Sequence, residues 1–299
     1  MGGGSWTNQA FCSYSTNKGM SVTSSGAIAG NYSAQEIFKS RMIDEKLNPY
    51  MVDRECCDTT EHPNTVPVIL ALDVTGSMGQ SAVEVAKQLN VIMTELYDKV
   101  KDVEFMVMGI GDFSYDSAPL QVSQFESDIR IAEQFDKIYF EGGGGGNNYE
   151  SYTAAWYFAA RHTKLDCLKR GKKGILITMG DETLNPYLPA ERVKSVIGDF
   201  NQGDIETESL YNEVINSYDV YHLAVDGHTN RSRTAYTRLA DMIHKTFGKY
   251  FDSDHLKVVG LDNIAETIID IVSSTSNNTI NNTTANNDIT LNKNNEITW

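Results

Sequence analysis

Apolar positions along the chain fall into two alternating patterns. Val66 to Leu72, Val103 to Ile110, Gly174 to Met179 and Tyr218 to Val225 are short, near-continuous apolar runs of strand length. A strand that is apolar on both faces belongs in a parallel sheet covered by helices on each side. Between the first two runs, Ala82, Ala86, Leu89, Met93, Leu96 and Val100 recur at three- and four-residue steps, which predicts a helix with one buried face starting just after Gly79. Tyr152 to Arg161, Thr234 to Phe247 and Ile264 to Val272 read as further helices, His255 to Val259 as a last strand, and Lys137 to Phe140 as a short edge strand. Strands alternating with helices predict an α/β fold: a doubly wound, mainly parallel sheet with helices on both faces, Rossmann-like in layout.

The flanks lack this rhythm. Residues 1–65 read as an arm and connector, 66–272 as the core domain and 273–299 as an Asn/Thr-rich tail. The arm, rich in Gly, Ser, Thr and Asn, is expected to be irregular and to drape over the core. Ser33, with Glu36 three residues on, forms a capping-box pattern that predicts a helix from Ser33 to Lys46, stopped by Leu47-Asn48-Pro49. The tail carries too few apolar residues to offset the entropy of ordering it.

Composition narrows the classes of function. With 40 Asp+Glu against 25 Lys+Arg, the formal charge of −15 speaks against nucleic acid or an anionic membrane surface as a partner. Cys12, Cys56, Cys57 and Cys167 make no zinc spacing, and reduced thiols in a cytoplasmic protein are the expectation. No apolar run reaches the roughly 20 residues of a membrane-spanning helix. The six histidines form no metal-ligand spacing, and Gly171-Lys172-Lys173-Gly174 lacks the pattern of a phosphate-binding loop.

The candidate chemistry lies at the end of the first run. Asp73, Thr75 and Ser77 follow Leu72 at alternating positions, where a parallel sheet opens its ligand crevice. Carboxylate and hydroxyl oxygens without sulfur or imidazole suit a hard cation, Mg²⁺ or Mn²⁺. These three residues fill D-x-[ST]-x-S, the first motif of the metal-ion-dependent adhesion site, and over about Pro67 to Val272 the chain resembles the von Willebrand factor A (vWA) family, in its intracellular prokaryotic or phage form. The resemblance implies further ligands from two loops, and both depart from the family pattern. In place of Gly-Gly-x-Thr stands a glycine run, Gly142 to Gly146, followed by Asn147 and Glu150, which become the substitute ligands; in place of Thr-Asp-Gly stands Thr178-Met179-Gly180-Asp181, which makes Asp181 the acid of the third loop. Asp112 is an outer-shell candidate.

What the resemblance implies about function is a metal-dependent protein-binding module. A cation held by hydroxyls and a single direct carboxylate keeps excess positive charge, and an Asp or Glu of a partner protein completes its shell. The family also implies partners of the AAA+ ATPase kind or subunits of an assembly. Three other readings stand beside this one. Asp73 would merely cap the following helix, with the hydroxyls satisfying loop amides. The chain would be a structural subunit whose arm and tail bind neighbours. Or it would be a phosphoester hydrolase with Asp73 as nucleophile, although Thr75 stands where a second acid is needed.

Overall fold

The computed structural model describes residues 4–141, 147, 149–226 and 233–276, with 233–239 as backbone only. The glycine run and the tail beyond residue 276 lie outside the described residues. Six strands form the central sheet: β1 (Val66–Asp73), β2 (Val103–Ile110), β3 (Leu120–Val122), β4 (Gly174–Gly180), β5 (Tyr218–Asp226) and β6 (Leu256–Gly260). Their order is β6-β5-β4-β1-β2-β3, parallel throughout except for β3, which runs antiparallel to β2 at the edge. The chain winds one way from β1 to β3 and the other way from β4 to β6. That reversal puts a topological switch point between β1 and β4, the place where such sheets hold ligands.

Alternation along β1 explains why two layers of helix are needed. Val68, Leu70 and Leu72 enter one apolar cluster, while Ile69 and Ala71 enter the other, and all five are buried. Each large aliphatic side chain so placed contributes roughly 1.5–3 kcal/mol of transfer free energy. On the first face lie α2 (Gly79–Lys99), the arm helix α1 (Asn8–Asn17) and a helix over 264–276. On the other lie α3 (Tyr152–Arg161), α4 (Arg233–Phe247) and the short helix Thr207–Val214. The doubly wound, mainly parallel sheet expected from the sequence is present.

The arm does drape over the core, but it is not irregular. Thr7 caps α1 by accepting the Ala10 amide, and the Trp6 indole donates to Asn90 Oδ1 at 3.0 Å. The helix expected from Ser33 to Lys46 is shorter. Its capping box is present, yet only Ala34–Ile37 is helical, because Phe38 turns extended to pack its ring against Phe135 and Phe140. Lys137 to Phe140 is no strand beyond a single parallel bridge of Tyr139 with Ser40. The Gln121 side chain donates to the Tyr139 carbonyl and accepts its amide, each at 2.8 Å, so a side chain takes the backbone bonds that a strand neighbour would supply. The true edge is β3, three residues long and wholly buried. Val74 and Glu141 still meet through one backbone hydrogen bond, which holds Glu141 next to the end of β1.

Candidate metal centre

Asp73 ends β1 opposite Ile110, and Leu72 pairs with Met179, so Asp73 and Gly180 leave the sheet side by side at the switch point. The carboxylate of Asp73 is fully buried. Its Oδ1 accepts the Thr75 amide at 2.9 Å and the Thr75 hydroxyl at 2.6 Å, and its Oδ2 accepts the Tyr152 hydroxyl at 3.3 Å. Ser77, two residues on and exposed to solvent, donates its hydroxyl to Asp181 Oδ1 at 2.8 Å. Each hydroxyl has one proton and two lone pairs. With the proton committed to a carboxylate, the oxygens of Thr75 and Ser77 keep lone pairs for a cation.

The capping alternative is met in part, since Asp73 Oδ1 accepts the amide of Thr75, the residue before the turn Gly76–Met78. Neither the single turn Gly76–Met78 nor α2 behind it takes a side-chain hydrogen bond at its cap. The hydroxyl protons of Thr75 and Ser77 go to the carboxylates of Asp73 and Asp181.

Glu150 is positioned by a two-residue parallel ladder of Tyr149–Glu150 with Thr183–Leu184, which follows Asp181 in the loop after β4. It is 5% exposed, and its Oε2 is buried with no hydrogen-bond partner. Burial, then the charges of Asp73, Asp116, Asp112 and Glu182, push its pKa up to about 10. Burial also raises Asp73 to about 7 against the hydrogen bonds from Thr75, and Asp181 adds repulsion. The side-chain charges acting most strongly on both groups are negative. Buried carboxylates without cationic partners cost several kcal/mol each when ionised, so this crevice is short of positive charge.

The other expected ligands divide. Asp181 is brought to the crevice, as its bond with Ser77 shows. Asn147 instead donates to Asp112 Oδ2 at 2.6 Å, at the end of β2. Asp112 also accepts the Ser114 amide, and its own amide donates to Asp116 Oδ2. Asn147 is thus held at the end of β2, where Asp112 also engages Ser114 and Asp116. Among the described residues, no three carboxylate, imidazole or thiolate groups gather closely enough to make a metal site alone. A cation here has to draw on the hydroxyls as well, which is the donor set that Asp73, Thr75 and Ser77 provide. The residues fit a hard divalent ion on that ground and on the unpartnered oxygen of Glu150.

Tyr152 was not legible as a site residue. With Trp156, Tyr157 and Phe158 it reads as core at helical spacing, and all four are buried. Its hydroxyl nonetheless reaches both Asp73 and the Glu182 amide. Gly180 makes this possible, because a Cβ there would overlap the Tyr152 hydroxyl. A glycine immediately before the third-loop acid was the available signal.

No family model matches the chain, and no curated protein matches it. Among solved structures it is similar to a pilus adhesin, the vWF domain of a pili tip protein and a conserved hypothetical protein. The pilus adhesin SpaC of Lactobacillus rhamnosus GG shares 12% identity at a TM-score of 0.45, over 78% of this chain and 31% of that one. The vWF domain of the type V pili tip protein Mfa5 of Porphyromonas gingivalis shares 11% at 0.42, over 71% and 95%. The conserved hypothetical protein BatB of Bacteroides thetaiotaomicron shares 16% at 0.42, over 71% and 99%. The chain thus spans about a third of the length of the adhesin. These are likenesses of architecture, and nothing about ligands follows from them. Among the described residues, no helix is long and apolar enough to cross a membrane.

Proposed function

We propose that this chain is a protein-binding module that recognises an acidic side chain of its partner through a divalent cation, Mg²⁺ or Mn²⁺, held at the β1–β4 switch point. The observation that carries the reading is the pairing of buried, charge-starved carboxylates with hydroxyls whose protons are already given away. Asp73 and the hydroxyl oxygens of Thr75 and Ser77 would hold the ion, with Asp181 and Glu150 facing it. The bound cation would supply a Lewis-acidic position for a carboxylate oxygen from outside the chain. Asp181 orients Ser77, Tyr152 steadies Asp73, and Asn147 donates to Asp112 at the end of β2. An AAA+ ATPase or an assembly subunit that presents Asp or Glu is the partner class proposed.

The test is thermal melting of the chelator-stripped chain with and without Mg²⁺ or Mn²⁺. A rise in melting temperature that Asp73→Ala abolishes supports the reading. A melting curve unmoved by either ion refutes it.

A further inference from the structure

The amino-terminal end of the sheet, opposite the crevice, carries a second feature of different chemistry. Val66 and Asp73 bound an eight-residue strand, so the two ends lie about 23 Å apart at the usual rise of a strand. A cavity of about 490 Å³ opens there, between the start of β1, the end of α2, the start of β4 and residues Thr275 and Ser276. In a chain of net charge −15, Lys99, Lys101, Arg170, Lys172 and Lys173 all line it, against one acid, Asp102. Asp102 is already engaged, since its carboxylate faces His62 Nδ1 and accepts the Asn64 amide.

A lysine near a helix carboxyl terminus is ordinary, because it complements a partial charge of about −0.5. That accounts for Lys99 at the end of α2, but not for five converging cations. Neighbouring acids neutralise only some of them: Lys99 pairs with Glu95 at 3.3 Å and Arg170 with Asp58. Lys101 and Lys172 have no ion-pair partner among the described residues, and Lys173 reaches Asp219 only at 4.0 Å. Arg170 bonds Asp58 and the Thr65 carbonyl through its Nη atoms, and its Nε is buried without a partner. Gly171 adopts φ 68°, the left-handed turn that carries the chain from the short helix Asp166–Arg170 to the paired lysines at the lip.

The geometry points to a binding site for a small phosphate-bearing molecule with an apolar part, of nucleoside-diphosphate size. The size of the cavity suits such a ligand. Arg170, the group best shaped for a planar carboxylate, is tied to Asp58, and the donors that remain are ammonium groups, which serve a multiply charged phosphate as point charges. Val66, Val100 and Ile175 give the wall an apolar face for the rest of the molecule. The absence of a phosphate-binding-loop sequence excludes one mode of phosphate binding and leaves this one open, because the charge comes from side chains and not from a glycine-rich backbone.

Calorimetric titration of the full chain with ADP and with pyrophosphate, in EDTA so that no cation bridges phosphate to the crevice, tests the site. ADP is expected to bind saturably at one per chain, more tightly than pyrophosphate. Lys101→Glu/Lys172→Glu should weaken it at least tenfold, while Asp73→Ala binds as the wild type does. Lys172→Gln alone, at an intermediate position on the surface, should weaken it about threefold and covers the case in which the double variant does not fold. No saturable heat from ADP, unchanged binding in the lysine variants, or an acidic hexapeptide that binds more tightly than ADP overturns the proposal.

Discussion

Ser77 Oγ donates to Asp181 Oδ1 at 2.8 Å across 104 positions of sequence, joining the loop after β1 to the loop after β4. The bond leaves the hydroxyl oxygen free to face outward. Ser77 is exposed, so Ser77→Ala should cost no more than about 1 kcal/mol of stability in chelator, the usual value of one hydrogen bond. The same change should remove most of the melting-temperature rise produced by Mg²⁺. Paired melts of wild type and variant, with and without the ion, read both effects.

Glu150 supplies a prediction whose sign depends on pH. Its folded pKa of about 10 lies above the ordinary 4.5, so the folded chain holds a proton that the unfolded chain releases. Stability of the cation-free chain therefore falls as pH rises from 4.5 toward 10. Glu150→Gln removes that loss. At pH 8 in EDTA it should stabilise by roughly 2 kcal/mol, or about 4–8 °C, and the gain should vanish near pH 4.5. Magnesium should narrow or reverse the difference by stabilising the wild type more than the variant.

His222 moves with pH in the opposite sense. It is fully buried, stacks on Phe247 with ring centroids 3.8 Å apart, and meets the Thr178 hydroxyl at 2.9 Å. Burial lowers its pKa from 6.5 to about 3. Here the unfolded chain takes the proton first, so this stability is whole above pH 6.5 and is lost as pH falls toward 3, by up to about 1.4 kcal/mol per unit. His222→Gln should be less stable at pH 7 but lose stability more slowly on acidification. Denaturant melts at pH 7 and pH 5 measure the two slopes.

Gly180 and Tyr152 are bound by a steric requirement. Gly180→Ala forces the Tyr152 ring out of place and should destabilise by about 1–3 kcal/mol, as overpacked sites do. Tyr152→Phe keeps the packing and removes only the donor to Asp73, so it should cost about 1 kcal/mol. Chemical denaturation of the two variants separates the clash from the lost bond.

The sequence was most readable where a single physical signal acted alone. The apolar run of β1, the helical periodicity after Gly79 and the hydroxyls behind Asp73 each followed from local pattern, and each stands where expected. It was least readable where a side chain overrode that pattern. Gln121 occupies the backbone of Tyr139 and so removes an edge strand, Phe38 leaves a capped helix to reach Phe135 and Phe140, and Thr7 starts a helix inside an arm of poor helix formers. Within the crevice, Asp181 was legible as the acid nearest a strand end. The contact of Asn147 with Asp112 was not legible, because it depends on where β2 ends in space.

Calorimetric titration of the chelator-stripped chain with Mn²⁺ at pH 8 tests the central claim most directly. One saturable site per chain, with protons released on binding and heat abolished by Asp73→Asn, is the result predicted. A wild-type chain that takes up no ion under these conditions, or one whose uptake survives Asp73→Asn, would contradict it.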